Sequence, residues 1–413
     1  MTSFPDGFLW GASTAPHQIE GNNTNSDWWA REGMMPGMEL SGDAVDSYHR
    51  YSEDISLLAE AGLNSYRFGI EWARIEPRQG SFSRAELAHY RRMIDTCLAA
   101  GVTPVVTLNH FSLPAWFAHE GGWASPHAVD RFSAYVEKVT EILDGVERIV
   151  TINEPNMLAM MTMVMEAMRS GANPDWQSPT VEADSDRDRI AAALPVPTVG
   201  HAAPLIAAHH AAREILRTRT SAKVGWSIAN GAFYAEPEDE QKLTEVRYAY
   251  EDVYLEASRG DDFVGVQSYS AQRVDQNGLV PHPDHPDNTM VGTAYRPDSL
   301  AIAVRHAAAV SGAPVLVTEN GIATADDARR VAYTAEALTG LEAAMCDGVD
   351  VRGYLHWSLL DNYEWGHWGP TFGLIAVDRE TFVRTPKPSL AWLGALARSN
   401  GAELPTIAEE LQV

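Results

Sequence analysis

The chain has 413 residues, 45% of them hydrophobic, and its 56 Asp and Glu against 31 Lys and Arg give a net charge of −25. So apolar a composition allows a large core and excludes a globally disordered chain. An acidic surface repels phosphate backbones and anionic lipids, so we expect no nucleic-acid partner and no membrane partner, and we favour an enzyme that acts on neutral molecules.

The sequence predicts a cytoplasmic protein. Its two cysteines, Cys97 and Cys346, lack neighbours at metal-ligand or redox-motif spacing, as is typical of reduced thiols. The first residues show no basic segment followed by an apolar core, so we expect no secretory signal. No apolar run approaches the length that crosses a membrane.

Strand and helix patterns alternate along the chain. Apolar and β-branched runs predict buried strands at 8–13, 65–70, 103–108, 148–153, 223–228, 262–269, 314–319 and 353–358. Amphipathic stretches predict helices at 48–61, 85–100, 128–143, 204–217, 300–311 and 328–346. Gly62, Gly101 and Gly312 follow three of these stretches, where helix C-caps favour glycine.

Eight such alternations predict an α/β fold, with residues 1–413 forming a single (β/α)8 TIM barrel domain. A doubly wound dinucleotide-binding sheet is disfavoured, because no Gly-X-Gly-X-X-Gly follows the first strand. Irregular stretches at 170–198 and 275–293 predict long βα loops that form the rim of the active site. The second contains His282 and His285 between prolines but no plausible ligand set, so we expect no metal and no cofactor.

Two predicted strands end on a glutamate, in Ile149-Val-Thr-Ile-Asn-Glu154 and in Val315-Leu-Val-Thr-Glu319. The C-terminal ends of parallel barrel strands surround one mouth, so Glu154 and Glu319 are predicted to face a common pocket. Paired carboxylates are what glycoside hydrolysis needs, since one protonates the leaving oxygen while the other attacks or activates water.

Polar and aromatic residues close the other strands. They are Gln18, Arg67, His110, Asn153, Gln267, Tyr269, Trp357, Glu364 and Trp365. Carboxylates, amides and imidazole suit sugar hydroxyls, and indole faces suit the C–H surface of a sugar ring. Any one of these residues could instead be satisfied by backbone partners, as we expect for Glu20 and Arg74. That interpretation is poor for the whole set, because buried charges are costly unless paired.

On these residues the chain resembles the family-1 glycoside hydrolases, the retaining β-glucosidase group, over nearly its whole length. The similar segments lie at 8–21, 66–77 and 107–114, in Thr151-Ile-Asn153-Glu154-Pro155, in Thr318-Glu319-Asn320-Gly321, and at 357–365 followed by Phe372-Gly-Leu. The acid/base and nucleophile motifs of the family correspond to the segments around Glu154 and Glu319.

The resemblance implies a role for each site residue. Glu319 would be the nucleophile and Glu154 the general acid and then base. Arg67 and Tyr269 would lower the pKa of Glu319 and keep it ionised. Asn153 would bind the sugar 2-hydroxyl. The remaining substrate-binding residues implied are Gln18, His110, Gln267, Trp357, Glu364, Trp365 and Phe372.

Three segments depart from the family pattern. Gly265-Val-Gln267-Ser268-Tyr269 stands where Gly-Ile-Asn-Tyr-Tyr is usual, which we expect to reshape the pocket wall. The loop 366–371 is shorter than usual, which bears on recognition of the sugar's 6-position. Asn25-Ser-Asp27-Trp28-Trp29 replaces the common early loop. Glu364 has no Lys nearby and would repel phosphate, so a small neutral β-glycoside is the expected substrate.

Several alternatives stay open on the sequence alone. The same residues would serve a transglycosylase. A carbohydrate-binding protein with little turnover is disfavoured, because both glutamates are present. The residues do not distinguish glucosyl from galactosyl or fucosyl groups, and they leave the oligomeric state unknown.

Six methionines follow the first glutamate motif and suggest an apolar aglycone site. Met157, Met161, Met165 and Met168 follow helical spacing and are predicted to pack in the core. Met160 and Met163 fall off that stripe, and flexible thioethers there would suit varied apolar groups. We therefore expect aryl or alkyl β-glycosides to be better substrates than cellobiose.

Overall fold

A closed barrel of eight parallel strands forms the centre of the protein. The computed structural model describes residues 4–34, 37–170 and 195–404. The strands are β1 (Leu9–Ser13), β2 (Ser65–Gly69), β3 (Thr103–Asn109), β4 (Arg148–Asn153), β5 (Lys223–Ala229), β6 (Val264–Gln267), β7 (Val315–Asn320) and β8 (Val351–Trp357). Each strand pairs with its neighbours in sequence, and β1 pairs with both β2 and β8, which closes the sheet. The predicted (β/α)8 barrel is confirmed.

Helices follow the strands. The longer ones are Ser47–Ala61, Arg84–Ala99, Ala128–Val139, Pro155–Arg169, Val199–Arg219, Ser299–Ser311, Asp327–Cys346 and Pro388–Arg398. Shorter α-helices are Pro16–Ile19, Asp27–Arg31, Trp72–Ile75, Ala115–Glu120, Glu240–Arg247 and Val253–Ala257, with 3-10 turns at Gly122–Ala124, Thr140–Ile142 and Pro237–Asp239 and a π-helical turn at Tyr248–Asp252. Within the described ranges, no helix combines the length and apolar character needed to cross a bilayer.

The observed bounds differ from the predicted ones in a few places. The run 262–269 was predicted as one strand, but β6 ends at Gln267, and the chain then leaves the ladder toward the barrel mouth. The helix predicted to start at Pro204 begins five residues earlier, because its first turn precedes the proline. Gly62 and Gly312 are left-handed C-caps as predicted, with φ of 102° and 67°.

The two predicted rim loops are only partly described. Of the stretch 170–198, residues 171–194 lie outside the described residues. The stretch 275–293 is irregular as predicted, apart from a short hairpin of Val274–Asp275 with Gly278–Leu279. A second hairpin pairs Ile375–Val377 with Arg384–Pro386 near the end of the chain.

The barrel interior is packed with apolar side chains. One buried cluster joins residues of several strands: Leu9, Val105, Val150, Phe263, Leu316 and Leu355. A much larger cluster lies between the strands and the helices. Strands buried on both faces need continuous apolar runs, which explains the Val and Ile content of β4 and β7. Polar side chains are thereby confined to the strand ends, where they can gather around one mouth.

Candidate active site

The C-terminal ends of the strands bring together the residues that the sequence singled out. Asn153, Gln267 and Trp357 are the last residues of β4, β6 and β8, and Glu319 is the penultimate residue of β7. The others lie close to the ends of β1, β2, β3, β4, β6 and β8: Gln18, Arg67, His110, Glu154, Tyr269, Glu364, Trp365 and Phe372. Because all eight strands are parallel, these ends surround the same opening.

Glu319 is held by three donors. Its Oε1 accepts from Arg67 Nη1 at 2.5 Å and from Gln267 Nε2 at 2.8 Å, and its Oε2 accepts from the Tyr269 hydroxyl at 2.7 Å. The residue is 4% exposed. Its carboxylate is therefore fixed in one orientation, with one lone pair of Oε2 left over.

The Arg67 guanidinium links three strands. It is fully buried, and besides Glu319 it donates to Asn153 Oδ1 and, through Nε, to Thr107 Oγ1 at 2.9 Å. Thr107 has no predicted role, although it lies in a segment that resembles the family. The strand register could have indicated this contact. Arg67 on β2 pairs with Val105 on β3, and Thr107 lies two residues further along β3, so its hydroxyl points to the same face as Val105.

Glu154 lies in a different environment. It follows β4 with a left-handed backbone, φ 46°, an unfavourable conformation for a side chain of this size that is found most often at functional sites. No residue in the described part of the chain donates a hydrogen bond to its carboxyl group. Burial raises the pKa of Glu154 well above its usual value, and the charge of Glu319 raises it further, against the opposing effect of Arg67.

The two carboxyl groups therefore differ in acidity. Burial also raises the pKa of Glu319, but Arg67 and the hydrogen bond from Tyr269 oppose that rise. The two contacts act in the predicted direction. Burial is the larger effect, so the pKa of Glu319 lies above its usual value in spite of these contacts. Glu319 still ionises before Glu154, since only Glu319 has donors.

His110 and Asn153 form a second polar pair. Asn153 Nδ2 lies 3.1 Å from His110 Nε2, and an amide nitrogen can only donate, so Nε2 accepts and the ring proton sits on Nδ1. Burial and Arg67 together hold the pKa of His110 well below its usual value, which keeps the imidazole neutral. His110 Nδ1 is buried without a partner. One N–H of Asn153 also remains unassigned.

Gln18 and Glu364 form the third polar group. Gln18 Nε2 donates to Asn362 Oδ1 at 2.8 Å, to the Tyr363 carbonyl at 2.9 Å and to Glu364 Oε2 at 3.1 Å. Trp357 Nε1 donates to the other oxygen of Glu364 at 3.4 Å. Burial raises the pKa of Glu364 to about 8. Gln18 Oε1 is buried without a partner, so this group also carries unused hydrogen-bonding capacity.

Aromatic rings enclose one side of the site. Trp365 lies 4.7 Å from Trp28, 4.9 Å from Phe111 and 5.9 Å from His110, measured between ring centroids. Phe372 packs with Trp357, and its ring lies 5.8 Å from that of Tyr269. Neither Trp28 nor Phe111 has a predicted role. Their positions, in the unusual early loop and directly after His110, were the signals that could have indicated one.

Glu20 and Arg74 have structural partners, which are mainly side chains rather than the expected backbone groups. Arg74 Nε donates to Glu20 Oε2 at 2.8 Å, and the Tyr90 hydroxyl lies 3.0 Å from both oxygens of Glu20. Their buried charges are therefore satisfied away from the catalytic carboxyl groups. This pair accounts for both residues without any contact to a substrate.

The described residues include one group that could hold a metal ion. Ligand atoms of Glu251, Asp252 and His306 lie within 4.8 Å of one another. His306 Nε2 is already 2.6 Å from Asp252 Oδ1, a geometry that an ion pair explains without a metal. His282 and His285 lie on the exposed loop, where His282 pairs with Asn288 Oδ1 at 2.8 Å.

The methionine hypothesis needs correction. Met160, expected at the aglycone site, is 4% exposed and therefore buried. Met161 packs against the main apolar cluster as expected, and Met161 and Met165 also line a cavity of about 50 Å³ together with Trp28, Phe111 and other residues. The side chain of Met168 lies outside the described residues.

Residues 39 and 40 support the short 366–371 loop. The Glu39 carboxylate accepts from the backbone N–H of Trp368 at 2.7 Å, and Trp368 Nε1 donates to the Leu40 carbonyl at 3.0 Å. The 366–371 loop, which departs from the family pattern, is thereby held at the rim.

Comparison with known proteins gives one consistent family. A family model described as Glycosyl hydrolase family 1 matches residues 1–259 and 262–402. Beta-glucosidase A of Thermotoga maritima is 30% identical over 464 aligned residues, covering 98% of this chain and 99% of that protein. A solved beta-glycosidase is 42% identical with a TM-score of 0.84, covering 96% and 98% of the two chains. The beta-glycosidase from Pyrococcus horikoshii is 32% identical with a TM-score of 0.84 over 100% of both chains.

The family match extends over nearly all of a (β/α)8 barrel whose mouth holds the two glutamates, and the sequence resemblance to this family is therefore confirmed. The chain belongs to glycosyl hydrolase family 1 and is a retaining β-glycosidase that acts on a glycoside.

Proposed function

We propose that the protein removes terminal non-reducing β-D-glucosyl residues from small neutral glycosides, with Glu319 as nucleophile and Glu154 as acid and base. The contrast between the two carboxyl groups carries this proposal. Glu319 accepts three hydrogen bonds, one of them from a buried arginine, whereas no described residue donates to Glu154. Retaining glycosidases need one ionised and one protonated carboxyl group at the start of the reaction.

The reaction proceeds in two balanced steps. Glu319 Oε2 attacks the anomeric carbon, the bond to the aglycone oxygen breaks, and Glu154 gives its proton to that oxygen. Oε2 is the attacking atom because Oε1 already accepts hydrogen bonds from both Arg67 and Gln267. In the second step Glu154 takes a proton from water, the water oxygen bonds to the anomeric carbon, and the bond to Glu319 breaks.

The polar atoms without partners support a sugar at this site. Gln18 Oε1 and His110 Nδ1 are buried and unsatisfied, which is costly unless a ligand completes them. We assign sugar contacts to Gln18, His110, Asn153, Trp357, Glu364, Trp365 and Phe372, with Gln267 in the same site. The segment 357–372 around Glu364 disfavours a phosphorylated sugar, because it contains no Lys or Arg to pair with a phosphate. Relatives named beta-glucosidase favour glucose over galactose or fucose.

We also propose that residues 1–413 form one domain and act in the cytoplasm. The two ends of the described chain meet, since Asn400 donates to the Phe4 carbonyl and accepts from Trp10 Nε1. The thiols of Cys97 and Cys346 are free, as expected for a reducing compartment. Cell fractionation tests the compartment, and a single cooperative unfolding transition tests the domain assignment.

Substitution of the nucleophile tests the mechanism. Glu319→Ala should abolish turnover of nitrophenyl β-glucoside, and azide should restore product as the α-glycosyl azide, since azide attacks from the vacated side. Glu141→Ala, an exposed glutamate paired with Lys138, serves as the control and should keep full activity. Retained turnover in Glu319→Ala, or a β-configured azide product, would overturn the assignment.

The wild-type enzyme should then be assayed on β-glucoside, β-galactoside, β-fucoside and 6-phospho-β-glucoside. The highest kcat/KM is expected for the β-glucoside and the lowest for the phosphorylated sugar. A preference for the phosphorylated sugar would refute the neutral-substrate assignment.

A further inference from the structure

Gln267 uses both of its amide protons on catalytic side chains. Its Nε2 lies 2.7 Å from Asn153 Oδ1 and 2.8 Å from Glu319 Oε1. These acceptors belong to β4 and β7, two strands that are not adjacent in the barrel. The opposite orientation of the amide would place three oxygens against one another, so the hydrogen-bonding groups themselves enforce the observed one.

The main chain anchors this side chain. Gln267 pairs in register with Glu319 on one side and with Ala229 on the other. Its carbonyl accepts from the Asn230 backbone N–H at 2.7 Å, and Asn230 in turn donates through Nδ2 to the buried carboxyl of Glu251 at 3.0 Å. Gln267 itself is 1% exposed. The main-chain pairing and these hydrogen bonds therefore hold the Gln267 side chain in one position.

Gln267 has no donor left for a sugar. Both N–H groups are taken, and the one remaining polar atom, the acceptor Oε1, is buried without a partner. Asn153 differs, because its Oδ1 accepts from Arg67 and Gln267 while Nδ2 keeps one N–H beyond the contact with His110. Gln267 therefore fixes the plane in which the free N–H of Asn153 points.

We propose that Gln267 is a positioning residue, which replaces the shorter asparagine of the family pattern and acts through Glu319 and Asn153, because both of its N–H groups are donated to them. This inference rests on the proposed function of Glu319. Gln267 favours the ionised nucleophile by donating to it, and it aims Asn153 at the sugar 2-hydroxyl. The length of the side chain is what lets one amide group reach both acceptors.

The first test is the pH profile of Gln267→Met, which keeps the length of the side chain and removes both hydrogen bonds. A dinitrophenyl β-glucoside needs no proton on its leaving group, so the acidic limb of kcat/KM reports ionisation of Glu319. Loss of a donor raises the pKa of Glu319, so this limb should move up by about one pH unit. Gln272→Met is the matched control, because Gln272 lies on an exposed loop, and its limb should not move.

The second test compares a β-glucoside with its 2-deoxy counterpart. Wild-type enzyme should discriminate strongly, whereas Gln267→Met should lose roughly tenfold of that discrimination, because Asn153 is no longer oriented. Gln267→Asn keeps an amide but is too short for both acceptors, and it should show a smaller change of the same sign. This second variant keeps the inference testable if Gln267→Met does not fold.

One measurement separates this inference from the proposed function. A 2-deoxy-2-fluoro-β-glucosyl fluoride should label Glu319 in the wild-type enzyme, which peptide mapping detects. Labelling elsewhere overturns the proposed nucleophile. Labelling at Glu319 combined with an unmoved acidic limb, or with a raised KM as the only change, overturns the role of Gln267 and leaves the nucleophile assignment intact.

Discussion

Removing the Tyr269 hydroxyl should shift the acidic limb of the pH profile to higher pH. Tyr269→Phe keeps the ring that packs against Phe372 and deletes one hydrogen bond, of 2.7 Å, to Glu319 Oε2. A hydrogen bond to a charged group contributes about 1.5–3 kcal/mol. Since one pKa unit corresponds to about 1.4 kcal/mol, the pKa of Glu319 should rise by about 1 to 2 units.

The sign of this effect follows from which form the hydroxyl binds. Tyr269 donates to the ionised carboxylate, so its loss disfavours ionisation and raises the pKa. Tyr269 is half-buried, and water that takes the vacated place reduces the cost, which favours the lower end of the range. Below the acidic limb, kcat/KM follows the ionised fraction and should fall by roughly 10- to 100-fold.

The assay is kcat/KM for a dinitrophenyl β-glucoside across the acidic range, with Tyr48→Phe as matched control. Tyr48 also donates to a carboxylate, Glu86 Oε2 at 2.9 Å, but far from the site. Its profile should match that of the wild type. If Tyr269→Phe lowers activity equally at every pH and leaves the limb in place, the hydroxyl does not govern ionisation of Glu319.

Three further predictions concern the acid, the stability of the fold and the aglycone. Glu154→Gln should remove the alkaline limb of the profile and spare the first step for dinitrophenyl glycosides; equal losses for good and poor leaving groups would show that Glu154 is not the acid. Asp54→Asn should lower the free energy of unfolding by about 3–5 kcal/mol, because it leaves the fully buried Arg384 without its ion partner. Urea denaturation measures the free energy of unfolding, and a loss under about 1 kcal/mol would contradict the prediction. Substituting Met161 and Met165 together by Ser makes the cavity polar. The ratio of kcat/KM for aryl glycosides to kcat/KM for cellobiose should then fall by several-fold, which corresponds to a free energy on the order of 1 kcal/mol. Met163→Ser serves as the comparison, and an unchanged ratio in the double variant would mean that these side chains only pack.

The barrel could be predicted from sequence because parallel strands buried on both faces need continuous apolar runs. The bounds of such a run predict the bounds of the strand. The predicted strand 148–153 and the observed β4 coincide. Parallel topology then places all C-terminal strand ends around one mouth, so Glu154 and Glu319 could be brought together without coordinates. The same reasoning failed for 262–269, because a run continues to look strand-like after its hydrogen-bonded ladder has ended.

The tertiary structure alone decided how the side chains share their hydrogen bonds. Sequence placed Gln267 at a strand end, but its two contacts depend on side chains from β4 and β7 that lie 114 and 52 residues away. The pKa of Glu319 likewise depends on several strands, because burial raises it while Arg67 and Tyr269 oppose that rise. Local sequence therefore determined which residues reach the barrel mouth, because the hydrophobic pattern fixes where each strand ends and which way its side chains point. Packing decided the protonation and orientation of these side chains, because both depend on neighbours from other strands that only the closed barrel brings into contact.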